Sequence, residues 1–210
     1  EAHAMGIRVI VDLVPNHSSD QHKWFQAALK SPPGSKERAR YMFRDGKGTN
    51  GELPPNNWQA VFGGPAWHRI TEADGKPGQW YLHLFAVEQP DLNWENPEVR
   101  SHFEDVLRFW LDRGVDGFRI DVAHGMIKAP GLPDVLDESN ATPEMLAAQK
   151  MPFWDQDGVH EIYRDWRKIL DSYEGNRMAV AEAWVSPASR IALYLRSEEH
   201  TSELQSLRHL

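Results

Sequence analysis

Residues 96–122 read NPEVRSHFEDVLRFWLDRGVDGFRIDV, and two periodicities meet inside that stretch. Val99, Phe103, Val106, Leu107, Trp110 and Leu111 recur at steps of three, four and one, the spacing of one apolar helix face. Asn96 supplies an N-cap, Pro97 suits the first helical position because its missing N–H would be unpaired there anyway, and Gly114 marks the stop. The spacing predicts a helix over 97–113. From Gly117 the period becomes two: Phe118, Ile120 and Val122 share one face, and Arg119 and Asp121 the other. A strand over 117–122 with a charged pair on one side is predicted.

Upstream, Arg8 to Val14 packs Val9, Ile10, Val11, Leu13 and Val14 with almost no alternation, the pattern of a parallel strand covered on both faces. Downstream, Val159, Ile162, Tyr163, Trp166, Ile169, Leu170 and Tyr173 give a second amphipathic helix closed by Gly175, and Met178 to Ala183 supplies another short apolar strand. Strands alternating with amphipathic helices predict βαβ units and a parallel sheet, doubly wound or closed into a barrel. Two stretches interrupt the repeat. Residues 18–93 are rich in Gly and Pro, carry Trp24, Trp58, Trp67 and Trp80 with Trp94 at their edge, and read as a small inserted subdomain. Residues 123–156, with Pro130, Pro133, Pro143 and Pro152, form a second long connection of the kind that serves as a functional lid.

The 210 residues carry 23 basic and 31 acidic side chains, a net charge of −8, which excludes partners that demand a basic face, such as nucleic acid or an anionic membrane. Hydrophobic residues at 40% and charged residues at 26% are those of a chain that builds a core. The run from Ile7 to Val14 is broken by Arg8 and Asp12 and is far shorter than the ~20 apolar residues of a membrane-spanning helix. Having no cysteine excludes disulfides, thiolate nucleophiles and Cys-ligated zinc, and leans towards a reducing compartment. Nine tryptophans beside 14 prolines and 15 glycines point to stacking surfaces on loops. Glu1 to Gly6 reads as the last turn of a helix closed by glycine, and Ser197 to Ser206 resembles translated sequencing-adapter DNA. Residues 197–210 are therefore expected to be foreign to the fold, and the rest an internal piece of a longer protein.

Parallel α/β sheets place their sites at the C-terminal ends of the strands, so polar residues there are informative. The first strand ends Asp12-Leu13-Val14-Pro15-Asn16-His17, the second carries Arg119 and Asp121, and the third ends Ala181-Glu182-Ala183-Trp184. Paired carboxylates suit glycosidic-bond cleavage, where one stays ionised and the other holds a proton for the leaving oxygen. Asp121, two residues from Arg119, suits the ionised role; Glu182, between alanines and beside Trp184, suits the proton donor. The same spacing reads equally well as a structural Arg119–Asp121 ion pair with Glu182 a solvated strand end. His22, His68, His83 and His102 lack ligand spacing and read as surface or packing residues, while His124 follows Asp121 closely enough to reach a leaving group.

Residues 12–19 (DLVPNHSS), 117–122 (GFRIDV) and 181–184 (AEAW) resemble, in order, three signature regions of the α-amylase family, glycoside hydrolase family 13. Gln89-Pro90-Asp91-Leu92-Asn93 resembles the region marking its oligo-1,6-glucosidase and α-glucosidase subgroup, and residues 55–58, 63–67 and 81–85 resemble that subgroup's inserted domain. The resemblance implies an α/β fold: strands 3 to 5 of a (β/α)8 TIM barrel, with a small domain B inserted after strand 3. Residues 1–17 would be strand 3 and the end of the preceding helix, 18–93 domain B, and 94–196 barrel helix 3 to the start of helix 5. A barrel of this kind takes ~250 residues, so the chain alone is expected to lack five strands, to lack the family's third carboxylate, and to have little activity.

The resemblance further implies a retaining, exo-acting α-glucosidase for short α-1,4- and α-1,6-linked oligosaccharides, with Val122 leaning to α-1,6. Asp121 would be the nucleophile and Glu182 the acid and base. Arg119 would orient Asp121, Asp12 would support Arg119, and His17 would hydrogen-bond the sugar, with Phe62, Phe85 and Trp184 candidates for ring stacking. The alternatives are an α-glucosyl transferase or isomerase, trehalose-synthase-like or sucrose-active, and a non-catalytic sugar-binding module. No cofactor is implied. Some relatives hold calcium through the asparagine that Asn16 matches, but one asparagine without a carboxylate cluster makes no cage, so no metal is expected. The expected partner is a small oligosaccharide, in the cytoplasm; the sequence is silent on oligomeric state.

Overall fold

A computed structural model describes residues 1–136, 139, 141–197 and 200–201. In chain order the elements are a 3-10 turn (His3–Met5), β1 (Ile10–Leu13), α1 (Lys23–Lys30), α2 (Lys36–Ala39), β2 (Phe43–Arg44), β3 (Trp67–Thr71), β4 (Pro77–Leu82), α3 (Pro97–Leu111), β5 (Gly117–Ile120), α4 (Pro143–Ala148), α5 (Val159–Asp171), β6 (Met178–Ala181), α6 (Ala188–Leu195), β7 (Arg196–Ser197) and β8 (His200–Thr201). They fall into two compact units, one made of Glu1–Asn16, Pro97–Ile127 and the residues from Asp155 onward, the other of His17–Asn96 and Lys128–Trp154.

In the first unit β1, β5 and β6 form a parallel sheet with β5 in the middle. Asp12 pairs with Arg119 across β1–β5, and Ile120 with Ala181 across β5–β6, so the three strands end at one edge. Gly117 permits this spacing, because a Cβ there would sit 2.1 Å from the Met178 carbonyl oxygen. Helices α3 and α5 pack together, with Phe103 and Trp166 ring centres 6.4 Å apart. Two expectations change. The apolar run of β1 predicted cover on both faces, yet Ile10 is 46% exposed because β1 is the edge of this sheet. The second strand ends at Ile120 rather than Val122, because Val122 has φ 47 and leaves the extended region.

The second unit is built on an antiparallel sheet in the order β2-β4-β3, around a core of Trp58, Trp67, Leu82, Leu84 and Phe153. Residues 128–154, which the sequence placed with the barrel portion and read as a lid, are a structural limb of this unit. Trp58 Nε1 donates to the Pro133 carbonyl at 2.8 Å, and the Trp58 and Phe153 rings are 5.0 Å apart. Of the tryptophans expected on stacking loops, Trp58, Trp67 and Trp94 are buried in the core instead, while Trp184 is exposed. The tail expected to be foreign lies outside the described residues except for Ser197, His200 and Thr201, whose backbone forms the β7–β8 ladder. Among the described residues no helix is long and apolar enough to cross a membrane.

Candidate active site

At the C-terminal edge of the parallel sheet one guanidinium gathers three carboxylates. Strand alternation puts Arg119 and Asp121 on the same side, and the β1–β5 register sets Asp12 beside Arg119. Arg119 Nη1 lies 3.0 Å from both Asp12 oxygens and donates to Asp121 Oδ1 at 2.6 Å, while Nη2 lies 2.9 Å from Glu182 Oε2. Asp121 and Glu182 thus converge on the same guanidinium. Of the two sequence alternatives, the structural ion pair exists, and it includes Glu182 rather than leaving it in solvent, for Glu182 is 19% exposed.

Desolvation is the main cause that raises the Glu182 pKa, and the hydrogen bond to Asp121 adds to it; the Val122 N–H and the Arg119 charge pull the other way without cancelling them. Desolvation opposes the Arg119 charge, but hydrogen bonds to Asp12 and Asp121 and the charges of Asp121 and Glu182 outweigh it and raise its pKa. Arg119 therefore stays a cation at any working pH. Asp12, 59% exposed, braces this cation from the β1 side. A carboxyl whose pKa is raised, beside a second carboxyl bound to the same arginine, suits general acid catalysis with a nucleophile.

The backbone after Asp121 completes the arrangement. Val122 is buried and left-handed, a conformation costing a β-branched residue about 1–3 kcal/mol. Its N–H lies 3.3 Å from Glu182 Oε2, and the next amide, of Ala123, donates to the Glu182 carbonyl at 2.9 Å. Nothing in the apolar sequence around Val122 signals this turn. Trp184 is 56% exposed, with its ring centre 6.2 Å from that of His124.

His17 and Phe85 belong to the other unit and meet there, ring centres 5.3 Å apart, with Phe62 5.7 Å from Phe85. Gln89 Oε1 accepts the Ala86 N–H at 3.1 Å, which turns its amide nitrogen towards His17 Nε2 at 3.0 Å. The ring nitrogen expected to serve a sugar thus accepts from Gln89. The rest of the Gln89–Asn93 motif is structural. Asp91 accepts the Leu84 N–H at 2.8 Å and pairs at 2.8 Å with Lys128, the two side chains 0% and 3% exposed. Burial lowers the Lys128 pKa and the Asp91 charge opposes it. Sequence reasoning missed Lys128, a lone cation in an apolar loop 37 positions from its partner. Asn16 is buried, and among the described residues no group of three or more His, Cys, Asp or Glu side chains is placed to hold a metal.

A family model described as "Alpha amylase, catalytic domain" matches residues 1–207. The oligo-1,6-glucosidase of Parageobacillus thermoglucosidasius is 43% identical over 175 residues, covering 83% of this chain and 29% of that protein. The probable oligo-1,6-glucosidase 3 of Bacillus subtilis is 47% identical over 214 residues, covering 95% and 36%. The crystal structure of the trehalulose synthase from Pseudomonas mesoacidophila superposes with a TM-score of 0.79 at 33% identity, over 96% of this chain and 34% of that one. The chain spans about a third of the length of these relatives.

Proposed function

Because this chain belongs to the α-amylase family, glycoside hydrolase family 13, we propose that it carries the catalytic pair of a retaining α-glucosidase acting on the non-reducing end of short α-1,4- and α-1,6-linked gluco-oligosaccharides. Its parallel sheet is three consecutive strands of a (β/α)8 barrel, with the second unit inserted largely after β1. The observation that carries the reading is the convergence of Asp121 and Glu182 on one guanidinium, with the Glu182 pKa raised by burial. In the first step an Asp121 carboxylate oxygen forms a bond to the anomeric carbon, the glycosidic C–O bond breaks, and Glu182 gives its proton to the leaving oxygen. In the second, the Glu182 carboxylate takes a proton from water, whose oxygen displaces Asp121 and restores the starting configuration. Arg119 aims Asp121, and Asp12 holds Arg119. His17 and Phe85 are the proposed contacts to the cleaved sugar, with Gln89 orienting the imidazole. The absence of cysteine supports a cytoplasmic setting.

The likeness to a trehalulose synthase supports a second reading, in which the same intermediate passes to a sugar hydroxyl and water is kept out. Proton NMR during hydrolysis of maltose and isomaltose tests the first. α-Glucose as the earliest product is expected, and β-glucose would overturn the retaining assignment. Isomers formed from sucrose in place of free glucose would favour transfer.

A further inference from the structure

Val122 needs help to remain left-handed, and the help comes from outside its own strand. The carbonyls of Ala123 and His124 are both taken by donors further along the chain. The Tyr163 hydroxyl, on α5, donates to the Ala123 carbonyl, and the Asp155 N–H donates to the His124 carbonyl at 2.8 Å. Asp155 is itself left-handed at φ 51, and its carboxylate accepts from Arg190 Nε at 2.7 Å and Nη2 at 3.1 Å and from the Tyr194 hydroxyl at 2.8 Å. The Tyr163 and Tyr194 rings are 5.9 Å apart, so α5 and α6 meet behind the turn.

We propose that Tyr163 is a positioning residue for the Asp121–Glu182 pair. Its hydroxyl, backed by the Asp155–Arg190–Tyr194 network, pins the Ala123 carbonyl and so keeps Val122 left-handed, with its N–H on Glu182. Packing alone would ask for a phenylalanine at position 163, since the ring already meets Trp166 at 5.8 Å. The hydroxyl is what the turn uses. With it gone, Val122 relaxes towards extended backbone and Glu182 loses the amide that favours its ionised form, while Arg119 and Asp121 still face it.

The kinetic arm of the test rests on the glucosidase reading; the exchange arm does not. In Tyr163→Phe, hydrogen exchange followed by mass spectrometry is expected to show the Val122 and Ala123 amides exchanging about tenfold faster, with α5 unchanged. On p-nitrophenyl α-glucoside, kcat is expected to fall roughly tenfold to a hundredfold with KM nearly constant, as for a small misplacement of reacting groups. The alkaline limb of kcat/KM is expected to move up, because Glu182 keeps its proton to higher pH. Unchanged exchange at Val122 and Ala123 would overturn the proposal, as would an unchanged kcat and alkaline limb beside a lowered melting temperature. The kinetic arm is read in the full-length protein that contains these residues; if that protein shows no turnover, the glucosidase reading fails and the exchange result alone decides. Should Tyr163→Phe not fold, Tyr194→Phe, which removes the bond to the Asp155 carboxylate whose residue holds the neighbouring His124 carbonyl, is expected to move both readouts in the same direction by less, and no movement there would overturn the proposal.

Discussion

Glu182 shares Arg119 with two other carboxylates, and its raised pKa makes it costly to the fold when ionised. A carboxyl whose pKa is higher folded than unfolded stabilises the native state at low pH, and that contribution disappears as pH rises through the folded value. Glutamine imitates the protonated acid, its amide oxygen accepting from Arg119. Glu182→Gln is therefore expected to raise the melting temperature at pH 7, with the gain fading under acid conditions. The same substitution is expected to cut kcat by about 10²–10⁴-fold, less for a p-nitrophenyl than for a sugar leaving group, because only the latter needs the proton. A variant that melts lower at neutral pH, or that turns over normally, would contradict the charge assignment.

Among the elements, the most informative is the limb 128–154, which is tied to the second unit by contacts no local pattern announces. Lys128→Met leaves Asp91 buried without this cation, and removing one member of a buried pair costs about 3–5 kcal/mol. Urea unfolding followed by the fluorescence of the buried Trp58 and Trp67 is expected to show that loss. A change below about 1 kcal/mol would mean that the pair is solvated, as exposed pairs are. The helices and strands of the first unit were legible because their periodicities are long-range repetitions of burial, as in Val99, Phe103, Leu107 and Leu111, which the structure buries together. Where one backbone angle decides, as at Val122, hydrophobic pattern carries no signal, and the strand was read two residues too long. Lys128 and Asp91 were illegible for a related reason: their pairing depends on how two distant segments return to one core.

For the whole molecule, the order of strand, helix, strand, helix, strand foretold a parallel sheet, and three strand ends foretold Asp12, Arg119, Asp121 and Glu182 at one edge. The structure gathers those four and places His17 and Phe85 together in the other unit, where Gln89 engages the imidazole. The central claim is that Asp121 forms a bond to the sugar. The most direct measurement is peptide mass spectrometry of protein quenched while turning over 5-fluoro-α-D-glucosyl fluoride, whose slow second step lets a covalent intermediate accumulate. A fluoroglucosyl adduct on Asp121 is the predicted result. Consumption of the reagent with no adduct, or with the label on Asp12 or Glu182, would contradict it.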